Sequence, residues 1–224
     1  MKTLLILTAL IQMVGINTAL AESNPAEWPV LYNANHSAFS ATTVLKPPLK
    51  VKWAAKINSV VQNPGPVVAE GCLVVNDAQG YLHCLDAETG ELKWRFFQKQ
   101  IGYGGGASSP TIWNGRVYCA FFSRAWPTLG GMHCFDLKTG ELLWKEKRAG
   151  LLGTRIKFSP QVSKGKLFYI SNVKANPTAW DVDNSGYKAQ VQCWDALTGD
   201  SLWIHNVWES RCQNTTILVV GDTV

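Results

Sequence analysis

The sequence lacks the basic runs of nucleic-acid-binding proteins, a membrane-spanning segment after its N-terminal region, and the motifs of nucleophilic catalysis. The 224 residues carry a net charge of +5, and no run of Lys or Arg provides the basic surface that nucleic-acid binding requires. After the N-terminal region, no apolar run approaches the roughly 20 residues of a membrane span. The sequence has no Cys-x-x-Cys, and no Ser/His/Asp or Cys/His set stands in a catalytic motif. These absences argue against a nucleic-acid-binding protein and leave no motif for nucleophilic catalysis.

Residues 1–21 are typical of a secretory signal peptide. Lys2 supplies a positive charge, residues 3–16 are mostly apolar, and Ala19 and Ala21 form a small-x-small cleavage site. A transmembrane anchor is the alternative, but the apolar run is too short to span a bilayer comfortably. No Cys follows this run, so a lipoprotein anchor is not supported. We expect a mature chain that is exported to the periplasm or the extracellular space and has no transmembrane span.

One stretch of the sequence occurs three times. HCLDAETGELKW begins at residue 83, HCFDLKTGELLW at residue 133 and QCWDALTGDSLW at residue 192, so the starts lie 50 and 59 residues apart. A unit of this length that recurs along a chain is typical of a propeller or a solenoid. The shared spacing is Cys-x-Asp-x-x-Thr-Gly-x-x-x-Trp. After the Cys, its common positions are Asp86, Thr89, Gly90, Trp94, Asp136, Thr139, Gly140, Trp144, Asp195, Thr198, Gly199 and Trp203.

Each common position has a physical role in a strand–turn–strand unit. The Asp86 side chain can accept backbone N–H groups two or three residues later, and Gly90 supplies the positive φ of a tight turn. The alternation after the turn predicts a half-buried strand whose apolar residues, Leu92 and Trp94, share one face. We expect the large, flat Trp side chain to be buried against a neighbouring repeat.

A second spacing lies upstream of each copy. Pro66, Pro110 and Pro160 are each followed five residues later by Gly and then by an apolar run, and Thr216 begins a degraded fourth copy. This pattern predicts a strand, a Gly turn and a second strand. Each unit therefore holds four antiparallel strands, which is a propeller blade. The predicted fold is all-β: a partial β-propeller of about three and a half four-stranded antiparallel blades over residues 50–224.

The segments around the repeats are less regular. Residues 22–49 form a lead-in with four Pro residues and no clear period. Residues 50–55 are predicted to form a strand that leads to Trp53. Trp53 lies about where the Trp of a preceding repeat is expected, so it either belongs to a mostly missing repeat or begins the ring.

Insertions interrupt the second and third repeats. Residues 76–80 predict a tight turn in the first repeat, whereas residues 123–131 and 171–189 are longer inserts in the others. Insertions in repeat proteins map to loops, and loops on a rigid scaffold are where binding usually resides. Residues 101–109 are Gly-rich but lack the ending of a phosphate-binding loop, so they predict a flexible connector.

The six cysteines all lie in the exported part of the chain, where disulfides are permitted. Cys84, Cys134 and Cys193 occupy one repeat position, which favours a small buried side chain over a bridge. A bridge remains the alternative, and Cys72 with Cys84 is its best pair. The His residue before Cys84 and Cys134 is expected to face away from the thiol along the strand.

Two sets of residues are candidates for ligand binding. Asp181, Asp183 and Ser185 resemble the first half of a calcium loop, but Gln192 stands where a bidentate Glu is needed, and a polar hairpin loop is the favoured interpretation.

The second set is a possible ligand loop made of Arg124, Trp126 and Arg155. These side chains could form an anion or aromatic pocket. Stacking of Arg on Trp at a blade edge explains them equally without any ligand.

The repeat resembles that of the PQQ-like propellers, which include quinoprotein alcohol dehydrogenases and non-enzymatic propellers such as the outer-membrane assembly factor. The resemblance covers about residues 50–224 and rests on Asp86, Thr89, Gly90 and Trp94, with Cys84 in place of the usual Ala. It implies a ring of seven or eight blades. It also implies that a dehydrogenase member would hold the quinone between a Trp and a disulfide of adjacent Cys residues, bind calcium with Glu, Asn and Asp, and use an Asp base. No adjacent Cys pair occurs here, and no residue of this sequence is assigned to those roles.

These observations favour an exported propeller that acts as a protein-binding or scaffold module without catalytic activity. The alternative is a fragment of a periplasmic PQQ-dependent alcohol or sugar dehydrogenase, and only that alternative calls for PQQ and calcium. The fourth repeat begins at Thr216 but lacks its Asp-x-x-Thr-Gly half. We therefore expect a fragment of a longer product; the alternative is self-association, in which two chains complete one ring. The expected partner is a protein or a second copy.

Overall fold

The computed structural model describes most of the repeat region. Within the described residues the chain forms twelve strands and no helix. The described residues are 48, 50–57, 59–61, 65–98, 108–121, 131–146, 159–174, 187–208 and 217. The strands are β1 Val67–Ala69, β2 Cys72–Asn76, β3 Tyr81–Asp86, β4 Leu92–Phe97, β5 Thr111–Trp113, β6 Arg116–Phe121, β7 Gly131–Asp136, β8 Leu142–Lys145, β9 Gln161–Ser163, β10 Lys166–Lys174, β11 Tyr187–Asp195 and β12 Ser201–Trp208.

The strands form three four-stranded antiparallel sheets, each in sequence order. Blade 1 is β1–β4, blade 2 is β5–β8 and blade 3 is β9–β12. The first strands of successive blades contact one another, and the fourth strand of each blade lies at its outer edge. This arrangement confirms the prediction of an all-β partial propeller built from four-stranded blades.

The first hairpin of each blade is a two-residue turn with positive φ at both positions. In blade 1, Glu70 has φ 51° and Gly71 has φ 71°, and the same pair of conformations recurs at residues 114–115 and 164–165. Positive φ at both central residues matches the twist of the flanking strands, as in a type I′ turn. The predicted Gly turn is thus confirmed in all three blades.

The prediction that Leu92 and Trp94 share a buried face is wrong. Trp94 pairs with Cys84 and Leu92 pairs with Leu85, so Lys93 is the extra residue of a β-bulge. Because a bulge reverses the alternation of faces, Leu92 lies on the opposite side of the sheet from Trp94. Leu92 is 52% exposed, whereas Trp94 is 9% exposed.

Three segments differ from what the sequence predicts. Residues 50–55 do not form the predicted strand, because the described residues offer this segment no neighbouring strand to pair with. The predicted insert 171–189 is shorter, since β10 and β11 continue pairing to Lys174 and Tyr187. The end of the predicted flexible connector is fixed instead: Ser108 is buried and donates its N–H to the Ala120 carbonyl oxygen at 2.8 Å.

The hydrophobic core lies between the blades rather than within one. One cluster joins blades 1 and 2, a second joins blades 2 and 3, and a third combines blade 3 residues with Ile217. Cys84, Cys134 and Cys193 are fully buried in these clusters, which confirms the prediction of a small buried side chain. All the described cysteines are free thiols, and Cys72 pairs with Asp86 rather than with Cys84, so the alternative of a Cys72–Cys84 bridge is wrong.

The predicted signal peptide at residues 1–21 lies outside the described residues, as does the lead-in at 22–49 except for Pro48. In the part of the chain that the structure describes, no helix has the length and apolar character needed to cross a membrane.

Candidate functional site

The turn between the third and fourth strands of each blade, the Asp-x-x-Thr-Gly segment, is built by its own side chains. Asp86 Oδ1 accepts the N–H groups of Glu88 at 2.9 Å and Thr89 at 3.0 Å, and the Asp86 carbonyl accepts the N–H of Gly90 at 2.9 Å. The same bonds recur around Asp136 and Asp195. We call these segments the Gly90, Gly140 and Gly199 turns.

Hydrogen bonds to the turn carboxylates stabilise their charged form. A bond from the Lys93 ammonium, followed by the backbone N–H groups of Thr89 and Glu88, lowers the pKa of Asp86 to about 2. The pKa of Asp136 and that of Asp195 are also lowered, chiefly by the backbone N–H three residues later. These carboxylates are therefore ionised throughout the physiological pH range, and one oxygen of each is occupied by the N–H groups of its own turn.

A Trp side chain covers each of these turns. A Cβ atom at Gly140 would lie 2.6 Å from the Trp94 ring, and Trp94 Nε1 donates to the Leu137 carbonyl oxygen at 2.8 Å. Trp53 makes the same contact with the Gly90 turn and Trp144 with the Gly199 turn, each through an Nε1–carbonyl bond of 3.2 Å. The absence of a side chain at the glycine is what allows the ring to approach the backbone so closely.

The fourth Trp of this series, Trp203, has no such turn against it among the described residues. Its side chain is 41% exposed, although its ring lies 6.1 Å from that of Phe168. Leu202 and Ile204 beside it are 49% and 40% exposed. We call Leu202, Trp203 and Ile204 the β12 patch. These three exposed apolar side chains lie on the outer strand of blade 3, and Ile204 faces the opposite side of the sheet from Trp203.

A hollow of about 400 Å³ opens between the turns of blades 1 and 2, lined by Glu70, Cys72, Lys93, Leu137 and Lys138. Two of its charged groups, Lys93 and Glu70, already have partners within the protein. Lys93 Nζ lies 3.1 Å from Asp86 Oδ2, 3.1 Å from the Gly71 carbonyl oxygen and 3.6 Å from Cys72 Sγ. Bonding to Asp86 raises the pKa of Lys93. Lys93 therefore stabilises the Gly90 turn by bonding to its Asp86 carboxylate.

A buried ion-pair geometry in blade 1 was not predicted from the sequence. His83 Nε2 lies 3.1 Å from Asp77 Oδ2, and both side chains are buried. Asp77 Oδ1 accepts the N–H groups of Gln79 at 2.9 Å and Tyr81 at 3.0 Å, which closes the β2–β3 turn. The signal was present: the repeat position before the Cys is polar in every copy, and such a position inside a blade needs a partner.

The same position differs in its partners from blade to blade. His133 Nδ1 lies 3.0 Å from the Gly131 carbonyl oxygen, and the ring centroid lies 5.0 Å from that of Phe121. Burial among aromatic rings lowers the pKa of His133 to about 4. In blade 3, Gln192 Nε2 donates to Ser171 Oγ, and its Oε1 accepts from Trp194 Nε1 at 3.0 Å.

Burial also raises the pKa of four of the cysteine thiols. It raises the pKa of Cys119 to about 12 and that of Cys134 to about 11, and it raises the pKa of Cys84 and Cys193 as well. Protonated thiols enclosed by apolar side chains are poor nucleophiles and poor metal ligands. The described part of the chain contains no group of three His, Cys, Asp or Glu side chains placed to bind a metal ion.

The ligand candidates from the sequence are not brought together by this structure. Asp181, Asp183, Ser185, Arg124, Trp126 and Arg155 all lie outside the described residues. They remain predictions.

The described residues do not fit a pyrroloquinoline quinone site of the kind that the resemblance implies. That site needs two adjacent cysteines, whereas the described cysteines are single thiols on different strands, enclosed in the cores between blades. The described residues therefore lack the adjacent Cys pair that would hold a quinone.

A family model described as the outer membrane protein assembly factor BamB matches residues 47–184. No curated protein matches the chain.

Several solved structures are similar to the chain. The quinohemoprotein alcohol dehydrogenase ADHIIG from Pseudomonas putida HK5 is 19% identical with a TM-score of 0.48, and the match covers 66% of this chain and 21% of that one. BamB from Moraxella catarrhalis is 18% identical with a TM-score of 0.45, covering 68% and 41%. The computationally designed Ika4 protein is 15% identical with a TM-score of 0.47, covering 74% and 86%. The chain thus spans less than half the length of the two natural proteins.

Proposed function

Since the chain belongs to the PQQ-like propeller family whose model is that of the outer membrane protein assembly factor BamB, we propose that it is an exported propeller that binds protein. In this proposal it acts as a scaffold module in the periplasm or the extracellular space and has no catalytic activity of its own. The observation that carries the proposal is the β12 patch, a group of three exposed apolar side chains on an outer strand.

The geometry of this strand suits protein recognition. β12 spans Ser201–Trp208, and its three patch residues are each at least 40% exposed. An outer strand also presents unpaired backbone N–H and C=O groups that can accept a strand from another protein. Backbone pairing would supply affinity, and apolar contacts with Trp203 would supply selectivity.

The polar groups of the blade turns support a structural role for the turn face. The Asp86 carboxylate holds its own turn and Lys93, and the Glu70 carboxylate accepts the N–H of Gly115 in the next blade at 3.2 Å. These groups fix the relative position of two blades. Their engagement within the protein supports our proposal that binding occurs at the apolar outer edge rather than at the charged turns.

Site-specific photo-crosslinking tests the proposal in the exported full chain. A photoreactive residue at Leu202 should yield crosslinks to protein, whereas the same residue at exposed Glu141 on blade 2 should not. Equal yields at the two positions would contradict binding at the β12 patch.

A second measurement separates binding from catalysis. The purified chain is mixed with PQQ and calcium, and the oxidation of alcohols and sugars is followed with an electron-accepting dye. We expect no oxidation above a denatured control. Quinone-dependent oxidation would overturn the proposal and establish a dehydrogenase.

A further inference from the structure

The three Asp-x-x-Thr-Gly turns differ in the side chains that surround them. Three positions are comparable at each turn: the residue before the Trp that covers it, the residue two after its Asp, and the residue before the Trp of its own blade. At the Gly90 turn all three are charged: Lys52, Glu88 and Lys93. At the Gly140 turn they are mixed: Lys93, Lys138 and Leu143. At the Gly199 turn all three are leucine, and we call them the leucine triad: Leu143, Leu197 and Leu202.

The leucine triad surrounds one turn. Leu143 immediately precedes Trp144, whose ring lies on Gly199, and Leu202 comes three residues after that glycine. The lysines that take the places of Leu143 and Leu197 one blade earlier both line the hollow between blades 1 and 2. Since the blades repeat the same contacts, the two leucines face a common surface as those lysines do.

The side chains of the leucine triad are open to solvent. They are 40%, 46% and 49% exposed, in chain order. The Gly90 turn differs, because its charged groups pair within the protein, Lys52 with Glu88 and Lys93 with Asp86. Clustered apolar side chains on a surface are typical of a site that binds another protein. The Gly199 turn thus offers an apolar contact that the Gly90 turn does not.

A guanidinium that forms no ion pair with any described carboxylate lies beside the leucine triad. Arg116 Nη1 donates to the Leu197 carbonyl oxygen at 3.1 Å. None of the ion pairs in the described part of the chain includes Arg116. Oδ1 of the turn carboxylate Asp195 instead accepts the N–H groups of Leu197 and Thr198, each at 2.8 Å. The planar guanidinium has further N–H groups, and these suit a carboxylate from another molecule.

We propose that the leucine triad and Arg116 bind a segment of a partner protein in which an apolar side chain stands next to an Asp or Glu. The apolar side chain packs among the leucines, and the carboxylate pairs with the guanidinium. The net charge of +5 favours the approach of an acidic segment. This inference rests on the proposed function, because it states the chemistry of the protein partner and extends the contact from β12 to the Gly199 turn.

Photo-crosslinking in the exported full chain tests where the partner lies. A photoreactive residue at Leu197 should give about five times the yield of one at Lys138, which has the same place in the Gly140 turn. Mass spectrometry should find an Asp or Glu in the crosslinked partner peptide. A peptide that comes from this chain itself, or one without an acidic residue, would overturn the inference. Crosslinks at Leu202 with none at Leu197 would overturn it and leave the proposed function standing, whereas their absence at both positions would overturn both.

Substitutions test the chemistry of the contact, with the crosslink yield at Leu202 as the readout and the urea midpoint as the check on folding. Arg116→Glu should lower the yield about tenfold, because it repels the partner carboxylate, and Arg116→Lys should lower it by no more than about threefold, because it keeps the charge. Equal losses from these two variants, at an unchanged urea midpoint, would overturn the inference.

A second substitution keeps the test valid if Arg116→Glu fails to fold. Leu197→Ser changes only an exposed turn side chain and should lower the Leu202 yield about fivefold. Lys138→Ser is the matched control at the same position of blade 2, and it should leave the yield within about twofold of the wild type. Equal yields from Leu197→Ser and the wild type would overturn the inference.

Discussion

The ring of Trp94 in blade 1 lies against Gly140 in blade 2, where a Cβ atom would come within 2.6 Å of it. Gly140 also has φ 73°, a conformation that side chains disfavour. The glycine is therefore required twice, once by its backbone conformation and once by the ring above it. The contact between blades depends on both requirements.

Replacing Gly140 by Ala should destabilise the protein strongly. Left-handed backbone costs roughly 1–2 kcal/mol for a residue with a Cβ, and overpacking against a buried ring adds roughly 1–3 kcal/mol. We expect the free energy of unfolding to fall by about 3 kcal/mol in urea titrations.

Gly115→Ala is the matched control for this substitution. Gly115 has a similar φ of 69°, but a Cβ there meets no atom within 4 Å. Gly115→Ala should lower the free energy of unfolding only because its backbone conformation disfavours a side chain, by about 1 kcal/mol. Equal losses for the two substitutions would show that Trp94 does not restrict Gly140.

Acid should destabilise the protein through His133. Burial lowers the pKa of His133 to about 4, whereas an unfolded His titrates near about 6.5. Between these values the unfolded state binds more protons than the folded state, so stability falls as the pH decreases from about 6.5 towards 4. The full difference corresponds to about 3 kcal/mol.

His133→Gln should flatten this part of the pH dependence, measured as the urea midpoint between pH 7 and pH 4. Gln is chosen because Gln192 is buried at the same repeat position in blade 3. The exposed His205 serves as the control, and His205→Gln should preserve the slope of the wild type. A slope that survives in His133→Gln would assign the acid sensitivity to other groups.

Removing the carboxylate of Asp77 should destabilise blade 1. Asp77→Ala leaves the buried His83 nitrogen and two backbone N–H groups without their acceptor. Losing these bonds should cost about 3 kcal/mol in thermal or urea unfolding. Asp200→Ala, at an exposed turn residue, should cost less than about 0.5 kcal/mol. A loss that small at Asp77 would mean that solvent replaces the carboxylate.

The buried thiols should resist modification in the folded protein. Cys119 is fully buried and its pKa is raised to about 12, so little thiolate is present at pH 8. In a Cys212→Ser background, labelling with a chromogenic disulfide reagent should be slow in buffer and complete in denaturant. Mass spectrometry of the labelled peptides identifies the residues that react. Rapid labelling of Cys119 before unfolding would contradict the buried assignment.

The blade and its turns were predictable because their determinants are local. Asp86 reaches N–H groups within three residues, and Gly90 provides the conformation that closes the turn. The side of the sheet on which Leu92 lies was not predictable, because the bulge at Lys93 arises from pairing with β3. The length of β10 was also missed, since its last residues are strand only because β11 lies beside them.

The sequence by itself determined the repeating unit, its four strands and its turns, since each of these follows from contacts between residues close together in the chain. Only the tertiary structure decided what each repeated residue does. Trp94 and Trp203 have the same place in their repeats, yet Trp94 is 9% exposed and Trp203 is 41% exposed. The difference is the neighbouring blade: Gly140 lies against Trp94, and no described glycine turn lies against Trp203. Burial depends on what lies across the interface, and the repeat motif does not carry that information.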